Sequence, residues 1–446
     1  MKKLSFKKGW LPMDGLAFAG EKDFPREPVL EIFTPRDIVL PMLQHIGTPA
    51  EPIVCVGDKI TVGQLIGKPT SPLCAPVHSG VSGTVTGISK ITLPNGIRCQ
   101  AVTIHNDLKR TLHVSVKPRL MPESLTPKDL MRLLEYSGVV GLGGNGYPTA
   151  AKCRRAEIAG VETVLINACQ SEPYLSSDIH ILREQTERVL GGASALAGLC
   201  RAKRIVFCLQ DKWSIELKAL QKSFEKYRNQ FPDREFSIRV FRSRFPQGYQ
   251  KLLIKALYNV ELAAGQLPEE TSGVVVLNAS TCAAFWDMVE KNMPMTSRVI
   301  SIFGDTTHGH NILVPIGTTV KELLERVPGA ASAKRIIWGG AITGVAIEDT
   351  NVPIIKTTAG IAIINKMKPS QTSCIQCGSC VDACPVGLVP YLCNRLDEMK
   401  EFDALKAEGI ENCIACGACS YVCPAGIDLS VTIARAAHKA RKGATV

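Results

Sequence analysis

The chain has 446 residues, of which 45% are hydrophobic and 21% charged, a globular composition that excludes a disordered or fibrous chain. Its formal net charge of +11 suits nucleic acid, anionic lipid or an acidic protein partner. We expect neither a membrane span nor a signal peptide, because the sequence has no apolar run of about 18 residues and no apolar segment behind its basic start. This favours a protein on the cytoplasmic side.

The first part of the chain predicts short β-strands. Residues 30–110 are rich in glycine and proline, and apolar residues alternate with polar ones between the glycines, which is typical of hairpins in a small barrel. The pattern VGDKITVGQLIG followed by APVHSGVSGTV resembles the biotinyl/lipoyl barrel-sandwich fold.

From residue 126 the pattern changes to helices alternating with strands. Thr126 and Pro127 predict a helix start, and a helix is predicted over 178–200. Apolar runs predict strands at 161–167, 204–209, 236–241 and 273–278. Alternation of this kind favours a parallel sheet with helices on both faces, and such sheets bind nucleotides at the carboxyl ends of their strands.

A glycine-rich stretch, GLGGNGYPT (141–149), precedes a predicted helix. Its backbone amides and the helix dipole would suit a phosphate. The stretch lacks a Walker lysine, and Glu162 precedes its strand, so the usual dinucleotide-binding pattern is not met. From these residues alone, phosphate binding and a plain glycine-rich turn both remain open.

Near the carboxyl terminus, eight of the 17 cysteines form two copies of C-x2-C-x2-C-x3-C-P. This spacing is that of the bacterial ferredoxin run for two [4Fe–4S] clusters, in which the fourth cysteine of each motif binds the other cluster. A zinc ribbon would need two C-x2-C pairs per ion and would not have a third cysteine at the same two-residue spacing. We therefore predict one cluster on Cys374, Cys377, Cys380 and Cys423, and a second on Cys413, Cys416, Cys419 and Cys384. The other nine cysteines lack ligand spacing and suit a core.

Three segments resemble the C-subunit family of the Rnf electron-transport complex. The stretch GLGGNGYPTAAK (141–152) is similar to the flavin loop GxGGAGFPTxxK, which that family shares with the NADH-binding flavoprotein subunit of complex I. The stretch NACQSEPY (167–174) is similar to NGAECEPY, and RFPQGYQKLLIKAL (244–257) resembles YPQGGEKQL. An N-terminal QHIGTPA (44–50) and the C-terminal cysteine motifs occur in the same order as in the family.

The resemblance implies a multidomain α/β protein of four units. These are a barrel-sandwich hybrid at 1–115, a Rossmann-like α/β FMN/NADH domain at 125–295, a β-grasp SLBB (soluble-ligand-binding) domain at 297–346, and a helical, ferredoxin-like domain with two [4Fe–4S] clusters at 362–435.

It also implies site residues and cofactors. FMN would be bound through its phosphate and ribityl chain, and NAD(H) would be the substrate. Tyr147 would lie beside the nicotinamide. Three further residues would line the same pocket, namely Asn167, Glu172 and Tyr174. The FMN-binding residues would be Gly141, Gly143, Gly144, Gly146 and Lys152.

Four residues depart from the family pattern. Gln170 and Gln250 replace two acids, Tyr249 replaces a glycine, and Asn145 replaces an alanine. A carboxylate accepts hydrogen bonds more strongly than an amide does, so the two replacements are expected to weaken the grip on nucleotide hydroxyls.

Two functions follow as hypotheses. The first is an electron-transfer subunit that passes electrons between NAD(H), FMN, the two clusters and ferredoxin, coupled to ion transport by other subunits. The second is an electron adaptor with an altered or lost NADH site that serves another reductase. Partners would be the other subunits of a membrane complex and a ferredoxin-like or acidic redox protein, with the chain held peripherally on the cytoplasmic side of the membrane by those partners. Aromatic residues are only 6% and no recognition motif is present, which disfavours nucleic acid.

Overall fold

The structure is a computed structural model. It describes residues 3–5, 15–18, 33–230, 233–306, 309–328, 330, 333–365 and 370–441. Each of the four predicted units therefore includes some residues that lie outside the described ranges. No helix in the described ranges is both long and apolar enough to cross a membrane.

The first unit is built from two small antiparallel sheets. One sheet has the order β1-β7-β6-β3 and the other β2-β4-β5. The alternation of apolar residues predicted these hairpins, and Ile38, Val85 and Ile104 point into the shared core. The strands are β1 (Asp37–Pro41), β2 (Glu51–Pro52), β3 (Lys59–Ile60), β4 (Leu65–Lys68), β5 (Val77–His78), β6 (Gly83–Thr92) and β7 (Arg98–Asn106).

The second unit contains a parallel sheet of order β10-β9-β8-β11, as the sequence predicted. Its strands are β8 (Thr163–Ala168), β9 (Arg204–Gln210), β10 (Glu235–Phe241) and β11 (Val274–Asn278). Its helices are α1 (Pro127–Ser137), α2 (Thr149–Ile158), α3 (Ser177–Glu184), α4 (Thr186–Leu199), α5 (Ser214–Gln230), α6 (Gln250–Tyr258), α7 (Pro268–Thr271) and α8 (Ala279–Lys291).

Neighbouring residues of β8 enter different cores, which shows that both faces of this sheet are covered. Val164 and Ile166 belong to the large core, whereas Leu165 packs with Leu253 of α6 on the other face. The helix predicted over 178–200 is two helices, α3 and α4, because the backbone leaves the helical region at Gln185.

The third unit is a mixed five-stranded sheet of order β13-β12-β16-β14-β15. Its elements are β12 (Ser297–Gly304), β13 (His310–Pro315), α9 (Val320–Leu324), β14 (Arg335–Trp338), β15 (Val345–Ile347) and β16 (Gly360–Ile364). Because β16 pairs with both β12 and β14, the sheet extends beyond the predicted end at 346. The predicted start of the last unit at 362 falls within this strand.

The last unit is helical among its described residues. It contains α10 (Ser379–Asp382), α11 (Pro390–Glu398), α12 (Phe402–Ala407), α13 (Ala418–Tyr421) and α14 (Leu429–Arg441). Short helices α10 and α13 each follow a glycine in the left-handed conformation, Gly378 and Gly417. The two motifs therefore repeat one local structure.

Candidate functional site: a glycine loop and two cysteine cavities

The glycine loop is a closed turn between α1 and α2. The Gly141 amide donates to the Tyr147 carbonyl at 2.8 Å, and the Gly146 amide donates to the Gly141 carbonyl at 3.1 Å. Gly146 has a φ of +62°, and a Cβ there would lie 2.5 Å from Thr357 Cγ2. Glycine is therefore required at Gly146 by both backbone conformation and space.

The loop lies over the carboxyl end of β11, which pairs with β8. The Leu142 amide donates to Thr281 Oγ1 of α8 at 3.0 Å, and a Cβ on Gly143 would lie 3.6 Å from the side-chain nitrogen of Asn278. Strand order changes direction at β8, which has β9 on one side and β11 on the other. Such a switch point is where open α/β sheets bind their ligands.

A buried polar network supports this edge of the sheet. The Asp178 carboxylate accepts hydrogen bonds from Asn278 Nδ2 at 2.5 Å and from the Ser280 hydroxyl, and the Asp178 amide donates to Gln170 Oε1 at 2.8 Å. Burial raises the pKa of Asp178, and the two side-chain hydrogen bonds oppose that shift. Sequence reasoning missed Asp178 and Asn278; the signal available was an asparagine that ends a strand and begins a helix.

Lys152 and Tyr147 are bound to protein groups. Lys152 Nζ donates to the Val276 carbonyl at 2.7 Å and to Gln250 Oε1 at 3.2 Å, and burial lowers the pKa of this lysine. The Tyr147 hydroxyl is hydrogen-bonded to Arg155, whose guanidinium carbon lies 4.7 Å from the ring centre. Lys152 thereby links α2 to β11 and to the start of α6.

The three residues predicted to line the pocket beyond the loop point to different neighbours. Asn167 Nδ2 donates to the Gly248 carbonyl at 2.7 Å, within the second unit. Glu172 Oε1 accepts from the amides of Ile342 at 2.8 Å and Thr343 at 3.1 Å, and burial raises the pKa of Glu172. Tyr174 stacks on Phe303 with ring centres 5.8 Å apart. Glu172 and Tyr174 therefore join the second unit to the third one.

The eight motif cysteines line two separate cavities, and each cavity takes its fourth cysteine from the other motif. We call the first the outer cavity, because Cys374 and Cys377 are exposed, and the second the inner cavity, because each of its four cysteines is buried or half-buried. The outer cavity is lined by Cys374, Cys377, Cys380 and Cys423, and the inner one by Cys384, Cys413, Cys416 and Cys419. The structure thus brings together the two predicted sets.

The inner cavity adjoins the second unit. Cys416 and Ala418 share an apolar cluster with Phe245, against which Tyr249 and Ile342 pack. Burial raises the pKa of Tyr249, and Glu172, Cys416 and Cys413 raise it further by charge repulsion of the phenolate. Tyr249 therefore lies between the pocket at the glycine loop and the inner cavity.

The residues present fit the groups that the sequence predicts. Four thiols around each cavity provide the four thiolates of a [4Fe–4S] cluster. Burial raises the pKa of Cys419 to about 12, so iron binding would have to displace its proton. At the glycine loop, the buried Thr149 hydroxyl has no hydrogen-bond partner among the described residues. A Cβ on Gly144 would meet no other atom of those residues within 4 Å. Both features suit a polar group of FMN above the loop.

Three family models match the chain along its length. The RnfC barrel-sandwich hybrid domain matches residues 6–109, the Nuo51 FMN-binding domain matches 134–287, and the 4Fe–4S dicluster domain matches 373–427. The class that this combination defines is an oxidoreductase subunit for electron transfer, with a flavin domain and two iron–sulfur clusters.

Relatives narrow this class. The chain is 30% identical over 409 residues to the C subunit of the proton-translocating ferredoxin:NAD(+) oxidoreductase complex of Clostridium ljungdahlii, covering 91% of this chain and 87% of the relative. It is 30% identical over 361 residues to the C subunit of the Na(+)-translocating complex of Acetobacterium woodii, covering 80% of each. In Vibrio cholerae, the C subunit of the ion-translocating oxidoreductase complex is 30% identical over 86% of this chain, which spans 50% of that relative. The chain belongs to the C-subunit family of the Rnf complex.

A solved structure shares the fold. A chain of the NAD+-reducing [NiFe]-hydrogenase in the air-oxidized state has a TM-score of 0.53 and 14% identity, with 72% of this chain and 62% of that chain covered. At this identity the likeness concerns architecture alone. It matches the mixed α/β organisation described above.

Proposed function

We propose that this chain carries electrons between NAD(H) and a redox partner through FMN, the inner cluster and the outer cluster, in that spatial order. The observation that supports the order is the placement of the two cavities. The inner cavity adjoins Tyr249 of the second unit, whereas Cys374 and Cys377 of the outer cavity face solvent. A partner can therefore approach the outer cluster directly. The direction of flow depends on potentials, which for such clusters span about −700 to +450 mV.

The glycine loop and its surroundings are proposed to hold FMN. Gly141 and Gly146 close the turn through their own amides, and Gly143 and Gly144 leave room and backbone amides near the start of α2, where the helix dipole favours a phosphate. Lys152 adds positive charge below the loop, and Asn167 fixes Gly248 at the pocket wall. When bound, FMN supplies the exchange between a hydride pair and single electrons, while the protein supplies position and electrostatics.

NAD(H) is proposed to approach beside Tyr147. This residue is held by Arg155 through a hydrogen bond and through the guanidinium over its ring, so its orientation is fixed before the nucleotide arrives. Glu172 and Tyr174 hold the third unit against the pocket. We propose that this third unit is the SLBB domain that the resemblance implies.

The proposed partners are the other subunits of a membrane-associated complex and a ferredoxin-like or acidic redox protein. Two clusters bound by four thiolates each add about −4 to the formal charge of +11, which leaves a basic chain of about +7 that favours an acidic partner. We place the chain on the cytoplasmic side of the membrane, attached through its partners. The names of the relatives, which are subunits of ferredoxin:NAD(+) oxidoreductase complexes, support the proposal that other subunits are partners.

A second candidate is an electron adaptor that does not use NADH. It is favoured by the side chains of Gln170 and Gln250, which replace family acids and already bind protein groups, the Asp178 amide and Lys152. Neither amide provides the carboxylate that would grip a nucleotide hydroxyl strongly. In this case the clusters remain and the nucleotide site is altered.

One experiment separates the two candidates. The full chain is prepared anaerobically with its clusters reconstituted, FMN is added, and NADH-dependent reduction of an artificial acceptor is measured. Flavin retention with NADH-dependent turnover supports the first function. Intact clusters with neither flavin retention nor reaction with NADH would support the adaptor, and the Gln170→Glu and Gln250→Glu variants then test whether the amides are the cause.

A further inference from the structure

Tyr249 is the middle residue of the segment 248–250, which lies between the pocket at the glycine loop and the inner cavity. On the pocket side, the Gly248 carbonyl accepts from Asn167 Nδ2 at 2.7 Å and the Gly248 amide donates to Ser171 Oγ at 3.0 Å. Gln250 Oε1 accepts from Lys152 at 3.2 Å. The residues on both sides of Tyr249 are therefore fastened to the rest of the second unit.

The Tyr249 ring itself packs toward the inner cavity. Its centre lies 6.3 Å from that of Phe245 in an edge-to-face arrangement, and both rings belong to the apolar cluster that includes Cys416. Ile342 of the third unit covers the neighbouring turn, since a Cβ on Gly417 would lie 2.7 Å from Ile342 Cγ2. Tyr249 and Ile342 thus pack, from two different units, against the turn at Cys416 and Gly417 that forms one side of the inner cavity.

This cover has an electrostatic consequence. A [4Fe–4S] cluster in the 2+ state with four thiolates carries a net charge of about −2, and one-electron reduction brings it to about −3. A dry, low-dielectric surrounding disfavours the more highly charged state, and the hydrophobic shell around a metal site controls its reduction potential through solvent access. A cover that excludes water from one cluster therefore lowers the potential of that cluster alone.

We propose that the Tyr249 ring, together with Ile342, is the cover that keeps water from the inner cluster and lowers its reduction potential relative to an open site. The inference rests on the proposed function, because it requires a cluster at the inner cavity. It also gives Tyr249 a role that does not involve binding the nucleotide.

The test is an anaerobic redox titration of the cluster-loaded full chain with dithionite, followed by electron paramagnetic resonance. Tyr249→Ala is expected to raise one of the two midpoint potentials, and Ile342→Ala to raise the same one by less. Tyr249→Phe keeps the ring and is expected to leave both potentials unchanged. The matched control is Tyr391→Ala, since Tyr391 lines the outer cavity; it is expected to move the other potential.

Several results would overturn the cover. One is that both midpoint potentials are unchanged in Tyr249→Ala, and another is that both shift equally in that variant. A third is a shift in Tyr249→Phe as large as in Tyr249→Ala, which would assign the effect to the hydroxyl group. Should Tyr249→Ala not fold, Ile342→Ala and Tyr249→Phe still decide the matter. A wild-type chain without clusters would instead contradict the proposed function, so the two failures are distinguishable.

Discussion

Gly144 and Gly160 both have a positive φ, and a Cβ added to either would meet no other atom of the described residues within 4 Å. Gly144 lies at the tip of the proposed FMN loop, whereas Gly160 follows α2 at its far end. Both positions therefore require a positive φ, of +112° at Gly144 and +64° at Gly160, and they differ in what faces them. Substituting each glycine by alanine therefore distinguishes the effect of backbone strain, which both variants share, from an effect on ligand binding.

Gly144→Ala and Gly160→Ala are each expected to destabilise the chain by about 1–2 kcal/mol, because an alanine is strained at positive φ. Only Gly144→Ala is expected to reduce FMN retention, by about tenfold or more, since its methyl group enters the space above the loop. Flavin fluorescence after gel filtration of both variants measures this. Equal retention would show that FMN does not contact this part of the loop.

Lys356 is a fully buried cation at the junction of the first three units. Its Nζ donates to the carbonyls of Pro76 at 2.7 Å and Gly138 at 2.8 Å. Burial lowers the pKa of Lys356 to about 7, and Cys74 opposes that shift. The neighbouring His45 and His78 also have lowered pKa values, chiefly through burial and secondarily through Lys356 in the case of His78.

The Lys356 shift predicts a pH dependence of stability. Below pH 7 the folded chain bears the cost of a buried charge; between pH 7 and about 10.4 the unfolded lysine still holds a proton that the folded one has lost, so stability rises with pH. From pH 6.5 to 8.5, the free energy of unfolding is expected to rise by about 2 kcal/mol relative to Lys356→Met. Denaturant unfolding of both proteins at both pH values measures this. If the free energy of unfolding changed equally with pH in the wild-type chain and in Lys356→Met, the lowered pKa of Lys356 would be wrong.

At the scale of elements, the edge formed by β8, β11 and α8 carries the pocket. Asn278 ends β11, caps α8 by accepting from the Thr281 amide at 3.3 Å, and donates to Asp178. One side chain thus joins a strand end, a helix start and a buried carboxylate. Its position 3.6 Å from a Cβ on Gly143 places this junction directly below the loop.

Asn278→Ala is expected to cost about 1–2 kcal/mol through the lost cap and to lower FMN retention, because the loop loses its support. Thr319→Ala is the matched control: Thr319 caps α9 in the third unit, accepting from Glu322. The control is expected to lose about 1 kcal/mol of stability with FMN retention intact. Urea unfolding and flavin content decide between them; equal flavin loss in both would refute a specific role for Asn278.

Which elements the sequence could predict follows from the range of the interactions that form them. Strands β8 to β11 and the cap at Thr126 depend on local periodicity and on residues three positions apart, and the structure has them as expected. The hydrogen bond between Asp178 and Asn278 joins residues 100 positions apart, and no local sequence pattern predicts it. In the same way, the sequence gives no local signal that β16 belongs to the sheet of the third unit, because its partner β12 lies far away along the chain. The motif spacing predicts the two cysteine sets, and the same sets line the two cavities.

At the scale of the whole molecule, each cysteine motif contributes its fourth cysteine to the cavity of the other motif. This arrangement joins the two motifs into one folded unit. Cys384 lies with Cys413, Cys416 and Cys419, and Cys423 lies with the first motif. The inner cavity then meets the second unit, and the outer one meets solvent. Removal of a fourth cysteine should therefore affect the cluster of the other motif.

Cys423→Ala and Cys377→Ala are expected to weaken or lose the same cluster, and Cys384→Ala the same one as Cys413→Ala. The reason is that each cluster needs all four thiolates of its cavity. Electron paramagnetic resonance of the reduced variants identifies the signal that remains. If Cys384→Ala instead removed the signal that Cys377→Ala removes, each motif would bind its own cluster and the exchange would be wrong.

The most direct measurement is the iron, sulfide and flavin content of the anaerobically prepared full chain. Two [4Fe–4S] clusters require about eight irons and about eight sulfides per chain, with broad visible absorbance that dithionite bleaches, and the flavin domain adds about one FMN. This composition is the predicted result. Far fewer than eight irons after reconstitution, with no such absorbance, would contradict electron transfer through this chain.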